Sequence, residues 1–201
     1  MNESFIHFTG WSAYANAALV IAIFVTIALY FAIGGFWGTL NDAISVVWAL
    51  TFVPLLFVLY YLNKPVNPPL NLALVIAGIA AMSAFAFLQS LLVLGLVRFE
   101  QTFMVVVTLG GILGLVLLLN GVQARASQSL PAGLAWLIII FGLGYILSAG
   151  GIWLGGQQHP LAAGGYLVSV LAGPAWAIWL GRLLLNGRLL PTANLVLGGS
   201  S

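Results

Sequence analysis

The sequence contains no cysteine and almost no charge. The first absence rules out disulfides, thiolate metal sites, cysteine nucleophiles and covalent haem attachment. The second is more telling. Of 201 residues only five are Lys or Arg and three Asp or Glu, 4% in all, where a soluble domain carries about a quarter. With so few groups, the pI near 9.2 does not describe a basic surface, and nucleic acid is not an expected partner. The two histidines, His7 and His159, are expected on opposite faces of a membrane, so they cannot share a metal. No HExxH, GxSxG or phosphate-binding loop occurs, and neither an enzyme nor a cofactor is predicted. Met1 to Gly10 has no Lys or Arg, so it lacks the positive start of a cleavable signal, and the first helix is expected to be retained.

What is present is apolar: 63% hydrophobic residues and a mean hydropathy of +1.17. Long runs cover 13–35, 43–62, 70–97, 103–120, 131–154 and 161–186, with Arg182 the only charge inside them. At about 1.5 Å per residue each can cross a hydrocarbon core of about 30 Å. The separators hold Gly, Pro, Asn and Asp, which break or cap helices; Asn41 or Asp42 is expected to cap the second. The fold class is therefore all-α: a polytopic membrane protein of six transmembrane helices in one domain, 1–188. A short apolar tail, 189–201, is read as interfacial.

Six spans place Lys64, Arg125, Arg182 and Arg188 on one side and Arg98 alone on the other. Because cytoplasmic loops retain positive charge, both termini are expected in the cytoplasm and the protein in the inner (plasma) membrane.

Uncharged polar residues form a depth pattern. Thr26, Thr51, Gln89, Thr108, Ser148 and Ser169, one from each helix, are expected in the outer half, and the inner half is expected to have almost none. Pro54 and Pro174 interrupt the second and sixth helices and free the carbonyls of Leu50 and Val170. Together these eight residues are the candidate lining of an outer-half polar cavity, since interrupted helices at mid-membrane often mark binding sites. The alternative is local: hydroxyls bonding back to their own helices, Gln89 bridging two helices, and prolines that only kink. Gly110 with Gly114, and Gly151 with Gly155, are expected to pack helices within the bundle. The string Asn16 to Ala22 is echoed by Asn71 to Ala77, a faint sign of repeated hairpins.

The run Leu40 to Leu50, the stretch Ser129 to Leu137 and the ending Pro174 to Arg182 resemble an uncharacterised group of small six-helix bacterial integral membrane proteins. The resemblance spans most of the chain. It implies the topology and a bacterial origin, and it brings no activity or site residues.

For function, the near absence of charge and the wealth of small and aromatic residues point to a non-catalytic membrane protein. Such a chain is an accessory subunit that packs against other membrane subunits, or a binder of lipid or of a hydrophobic pigment; membrane lipids are its natural partners. A small channel or facilitator for a neutral solute is the alternative, using the outer polar layer. A lipid-directed enzyme would need Asp42, Glu100 and His159 to converge from separate segments.

Overall fold

The structure is a computed structural model that describes residues 2–189. Within them the chain forms six α-helices and no strand: α1 (Glu3–Ile33), α2 (Phe36–Asn63), α3 (Pro68–Val93), α4 (Phe99–Ser127), α5 (Ala132–Gly155) and α6 (Pro160–Leu185). All six are long and apolar enough to cross a membrane.

Local chemistry sets the helix starts. The Asn2 side chain accepts the Phe5 N–H at 2.8 Å, and Asn67 accepts that of Leu70 at 3.1 Å, each satisfying an amide that the first turn leaves open. Pro68 and Pro160 open α3 and α6, where a missing N–H is harmless. Gly34 and Gly35, with φ of 67° and 66°, make the whole turn between α1 and α2, a conformation a side chain would strain.

Each helix packs on its neighbours in sequence, α1 closes the ring on α6, and α2 also touches α4. Gly10 lies against Leu185, so the start of α1 and the finish of α6 share one end of the bundle, here the basal end. The close seams are glycine-made. A Cβ on Gly142 of α5 would sit 2.5 Å from Gly114 O and 2.6 Å from Leu118 N on α4. Gly151 lies equally close to the α6 backbone at Ala162. Of the glycines read from the sequence, Gly110, Gly114 and Gly151 thus face helices of the same bundle, and Gly155 lies against the side chain of His159. Large apolar side chains point outward, Phe31, Trp11 and Leu171 among them, a surface suited to acyl chains rather than water.

Several element ends differ from expectation. α1 begins at Glu3 rather than Ala13, because the Thr9 and Ser12 hydroxyls donate to Phe5 O and Phe8 O of their own helix and do not interrupt it. α2 begins at Phe36 rather than Ala43, so Asn41 and Asp42 lie inside the helix and cap nothing. α4 runs from Phe99 to Ser127 and takes in most of the expected 121–130 link, while α3 stops at Val93, short of Val97. The fifth and sixth spans agree to within a residue. The tail reading for 189–201 falls, apart from Leu189, outside the described residues.

Candidate functional site

The predicted polar residues separate into distinct seams. Thr26 and Thr51 both lie between α1 and α2. Asn41 Nδ2 donates to Thr26 Oγ1 and to Ile23 O, each at 2.9 Å, while the Thr26 hydroxyl donates to Ala22 O. Nearer the basal end, Asn16 Nδ2 donates to Thr51 Oγ1 at 2.9 Å, and that hydroxyl donates to Trp48 O at 2.7 Å. These are two rungs of one antiparallel hairpin.

Ser169 is buried between α6 and α5, donates to Gly165 O at 3.0 Å and faces Gly144; Ser148 lies in the same seam, its backbone against Gly165. Thr108 is exposed on α4, donates to Met104 O and accepts from Trp153 Nε1 at 3.3 Å. Gln89 is buried on α3 with its Oε1 unpartnered. Pro54 and Pro174 are buried within α2 and α6. The structure therefore places Thr26 and Thr51 in one seam, on separate rungs, and Ser148 and Ser169 in another, and leaves Gln89 and Thr108 on other faces.

The densest polar cluster is basal, where almost no polar residues were expected. Asn63 Nδ2 lies 3.1 Å from both Asn120 O and Asn120 Oδ1, and Ser129 Oγ donates to Asn63 Oδ1 at 3.0 Å. Asn71 Nδ2 is 2.8 Å from each of Asn63 O, Asn67 O and Gln123 Oε1. Asn63, Asn71 and Asn120 are all at least 97% buried, so the amides join α2, α3, α4 and the link to α5 in one network. In the sequence Asn63 and Asn120 stand at span ends and look like loop punctuation. The Asn16/Asn71 echo is the signal that marks this class: both residues are buried and reach across to another segment.

The bundle axis is filled by aromatic rings. Phe52, Phe141 and Trp176 are essentially fully buried and Trp48 nearly so. Trp48 stands edge-on to Phe52 at 5.1 Å between centroids and to Phe85 of α3 at 5.6 Å, and Phe52 stacks on Trp176 at 6.1 Å. Such pairs add stabilisation beyond the area they bury.

A concave site opens on the surface: a cleft of about 400 Å³ along the basal part of α6, lined by Ala175, Ile178, Trp179, Arg182, Leu183, Asn186 and Arg188. Helical spacing puts residues 175, 178, 179, 182, 183 and 186 on one stripe. The cleft is graded, with apolar walls toward the membrane centre and two guanidinium groups and an amide at the basal mouth. Gly133, at the start of α5, makes room for the indole: a Cβ there would lie 2.8 Å from Trp179 Cη2. No ion pair engages Arg182 or Arg188 among the described residues.

Among the described residues no three His, Asp or Glu side chains come together in a way that could hold a metal ion. His159 Nδ1 accepts the Leu161 N–H at 3.3 Å as the cap of α6, and Glu100 lies in the first turn of α4. Compared with protein-family models, with curated proteins and with solved structures, the chain matches none.

Proposed function

We propose that this chain is a non-catalytic membrane protein that binds a lipid-like amphiphile with an anionic headgroup in the α6 cleft. The observation that carries the reading is the grading of that cleft. Arg182, Arg188 and Asn186 offer a phosphate or carboxylate charge-assisted hydrogen bonds, and Ala175, Ile178 and Leu183 flank the path of an acyl chain. Trp179 stands between them, as an indole does at a membrane interface. Positive charge at the basal end favours the cytoplasmic leaflet, with both termini inside the cell.

The facilitator reading has less support. The packed rings of Trp48, Phe52, Phe141 and Trp176 stand where an axial path would run. Packing against other membrane subunits is compatible with lipid binding, since the outward faces of all six helices are apolar.

Titration of delipidated protein with an anionic phospholipid and with a zwitterionic one of the same chains tests the proposal. Saturable quenching or shift of tryptophan fluorescence by the anionic lipid, lost in Trp179→Phe and weakened at least tenfold in Arg182→Gln/Arg188→Gln, supports it. Equal responses to both lipids, unchanged by either variant, reject it.

A further inference from the structure

Arg182 and Arg188 line one cleft, although helical geometry alone would not bring them together. Six positions apart on a continuing helix, they would point about 120° away from each other. The helix stops between them. Asn186 is its C-cap, and Gly187 follows with φ of 66°, a left-handed conformation that glycine adopts freely and a residue with a side chain does not. Two crossed bonds lock the stop: Gly187 N–H donates to Leu184 O at 3.1 Å, and Arg188 N–H donates to Leu183 O at 3.0 Å. Leu189, the next residue, packs against the core. The chain is thus folded back on α6. Arg188 occupies the position where a stop of this kind usually sets an apolar residue against the last turn; here Arg188 and Leu183, joined through that bond, both line the cleft.

The result is a mouth with two guanidinium groups and one amide, and with no acidic side chain among the described residues that line it. Two like charges at one mouth favour a ligand that neutralises both. Open carbonyls at the end of a helix would oppose an anion. At the end of α6, however, Arg182 O, Leu183 O and Leu184 O already accept the N–H groups of Asn186, Arg188 and Gly187. A carboxylate or a phosphodiester brings one negative charge and two free oxygens. A phosphate monoester brings a charge of about −1.5 to −2 at neutral pH and three strong acceptor oxygens. That is enough for a forked pair of bonds from one guanidinium and a further bond from the other.

We propose that the Gly187 stop makes the α6 cleft selective for a lipid whose headgroup is a phosphate monoester, by bringing Arg188 into the same cleft as Arg182. The inference rests on the lipid-binding reading above and names the headgroup that reading leaves open. Arg182, on the helix itself, accounts for attraction to an anion of any kind. Arg188, in its folded-back place, accounts for the choice among anions.

The test titrates delipidated full-length protein in neutral detergent with phosphatidate, with its phosphate methyl ester and with phosphatidylcholine, all of the same chains, and reads binding from tryptophan fluorescence. The methyl ester removes one negative charge and enlarges the headgroup by a single carbon. The parent is expected to bind phosphatidate roughly fivefold or more tightly than the ester, since the second charge meets the second guanidinium. The ratio is expected to fall to within about twofold in Arg188→Gln, which keeps the stop, and in Gly187→Val, whose branched side chain opposes the left-handed turn. Equal affinity of the parent for phosphatidate and ester, both tighter than phosphatidylcholine, overturns the monoester inference and leaves the lipid-binding reading standing. No preference of either over phosphatidylcholine removes both. A preference for phosphatidate that survives in both variants also overturns the inference, because it assigns the selectivity to other basic residues of the basal end, Lys64 after α2 and Arg125 in the last turn of α4.

Discussion

Asn63 and Asn120, 57 positions apart, meet as a buried amide pair: Asn63 Nδ2 donates toward Asn120 Oδ1 at 3.1 Å, while Asn120 Nδ2 turns back to Val116 O at 2.8 Å. The contact ties α2 to α4, two helices that otherwise touch little, and Ser129 and Asn71 complete the network around it. Asn63→Leu removes the bonds to Asn120 and leaves Ser129 Oγ without its acceptor. Interhelical bonds in membranes are individually modest, about 0.6 kcal/mol on average, but orphaned partners add their own cost. The expected loss is about 2 kcal/mol, read as an earlier midpoint when the protein unfolds in mixed detergent micelles. An unchanged midpoint would show that the amides are incidental.

Asn41 tests whether the second helix is read correctly. As a clamp to Thr26, it couples to that residue, and a double-mutant cycle with Asn41→Leu and Thr26→Val is expected to give an interaction of about 0.6 kcal/mol. As a cap it would show no coupling to α1.

The glycine seams make a contrast. Gly142→Ala forces a methyl group against the α4 backbone at Gly114 and Leu118, atoms that cannot rotate away, and is expected to destabilise by about 1–3 kcal/mol. Gly150→Ala, on the same helix, meets nothing within 4 Å and is expected to stay within about 0.5 kcal/mol of the parent. Thermal unfolding of the two variants side by side decides it; equal effects would place the α4–α5 seam elsewhere.

The α6 cleft predicts a salt dependence. Arg182 and Arg188 are exposed, so their attraction for an anionic headgroup is screened as ionic strength rises, with a Debye length falling from about 10 Å at 0.1 M to about 3 Å at 1 M. Affinity for anionic lipid is expected to fall with added salt in the parent and to be flat in Arg182→Gln/Arg188→Gln. A salt-independent affinity in the parent would assign binding to the apolar wall alone.

The spans were legible in the sequence because a charge-free run of about 20 residues has few other uses. Their ends were not. Thr9, Ser12 and Gln123 look like interruptions, yet each is accommodated within a helix, by a bond to its own backbone or, for Gln123, by a bond to Asn71. The polar layer shows the same limit. Composition and counting place Thr26, Thr51, Ser148 and Ser169 at a common depth, but which side chains face one another depends on helix rotation, and rotation is set by close glycine contacts that only the fold assembles. The α6 stripe was written in the spacing of residues 175 to 186. What hid it is that a single arginine inside an apolar run reads equally well as one snorkelling to the interface.

Native mass spectrometry of the protein extracted gently from its own membrane tests the lipid-binding claim most directly. The account predicts one anionic amphiphile retained per chain by the parent and lost, with the fold intact, from Arg182→Gln/Arg188→Gln. A bare parent chain, or the same lipid complement on both proteins, would contradict it.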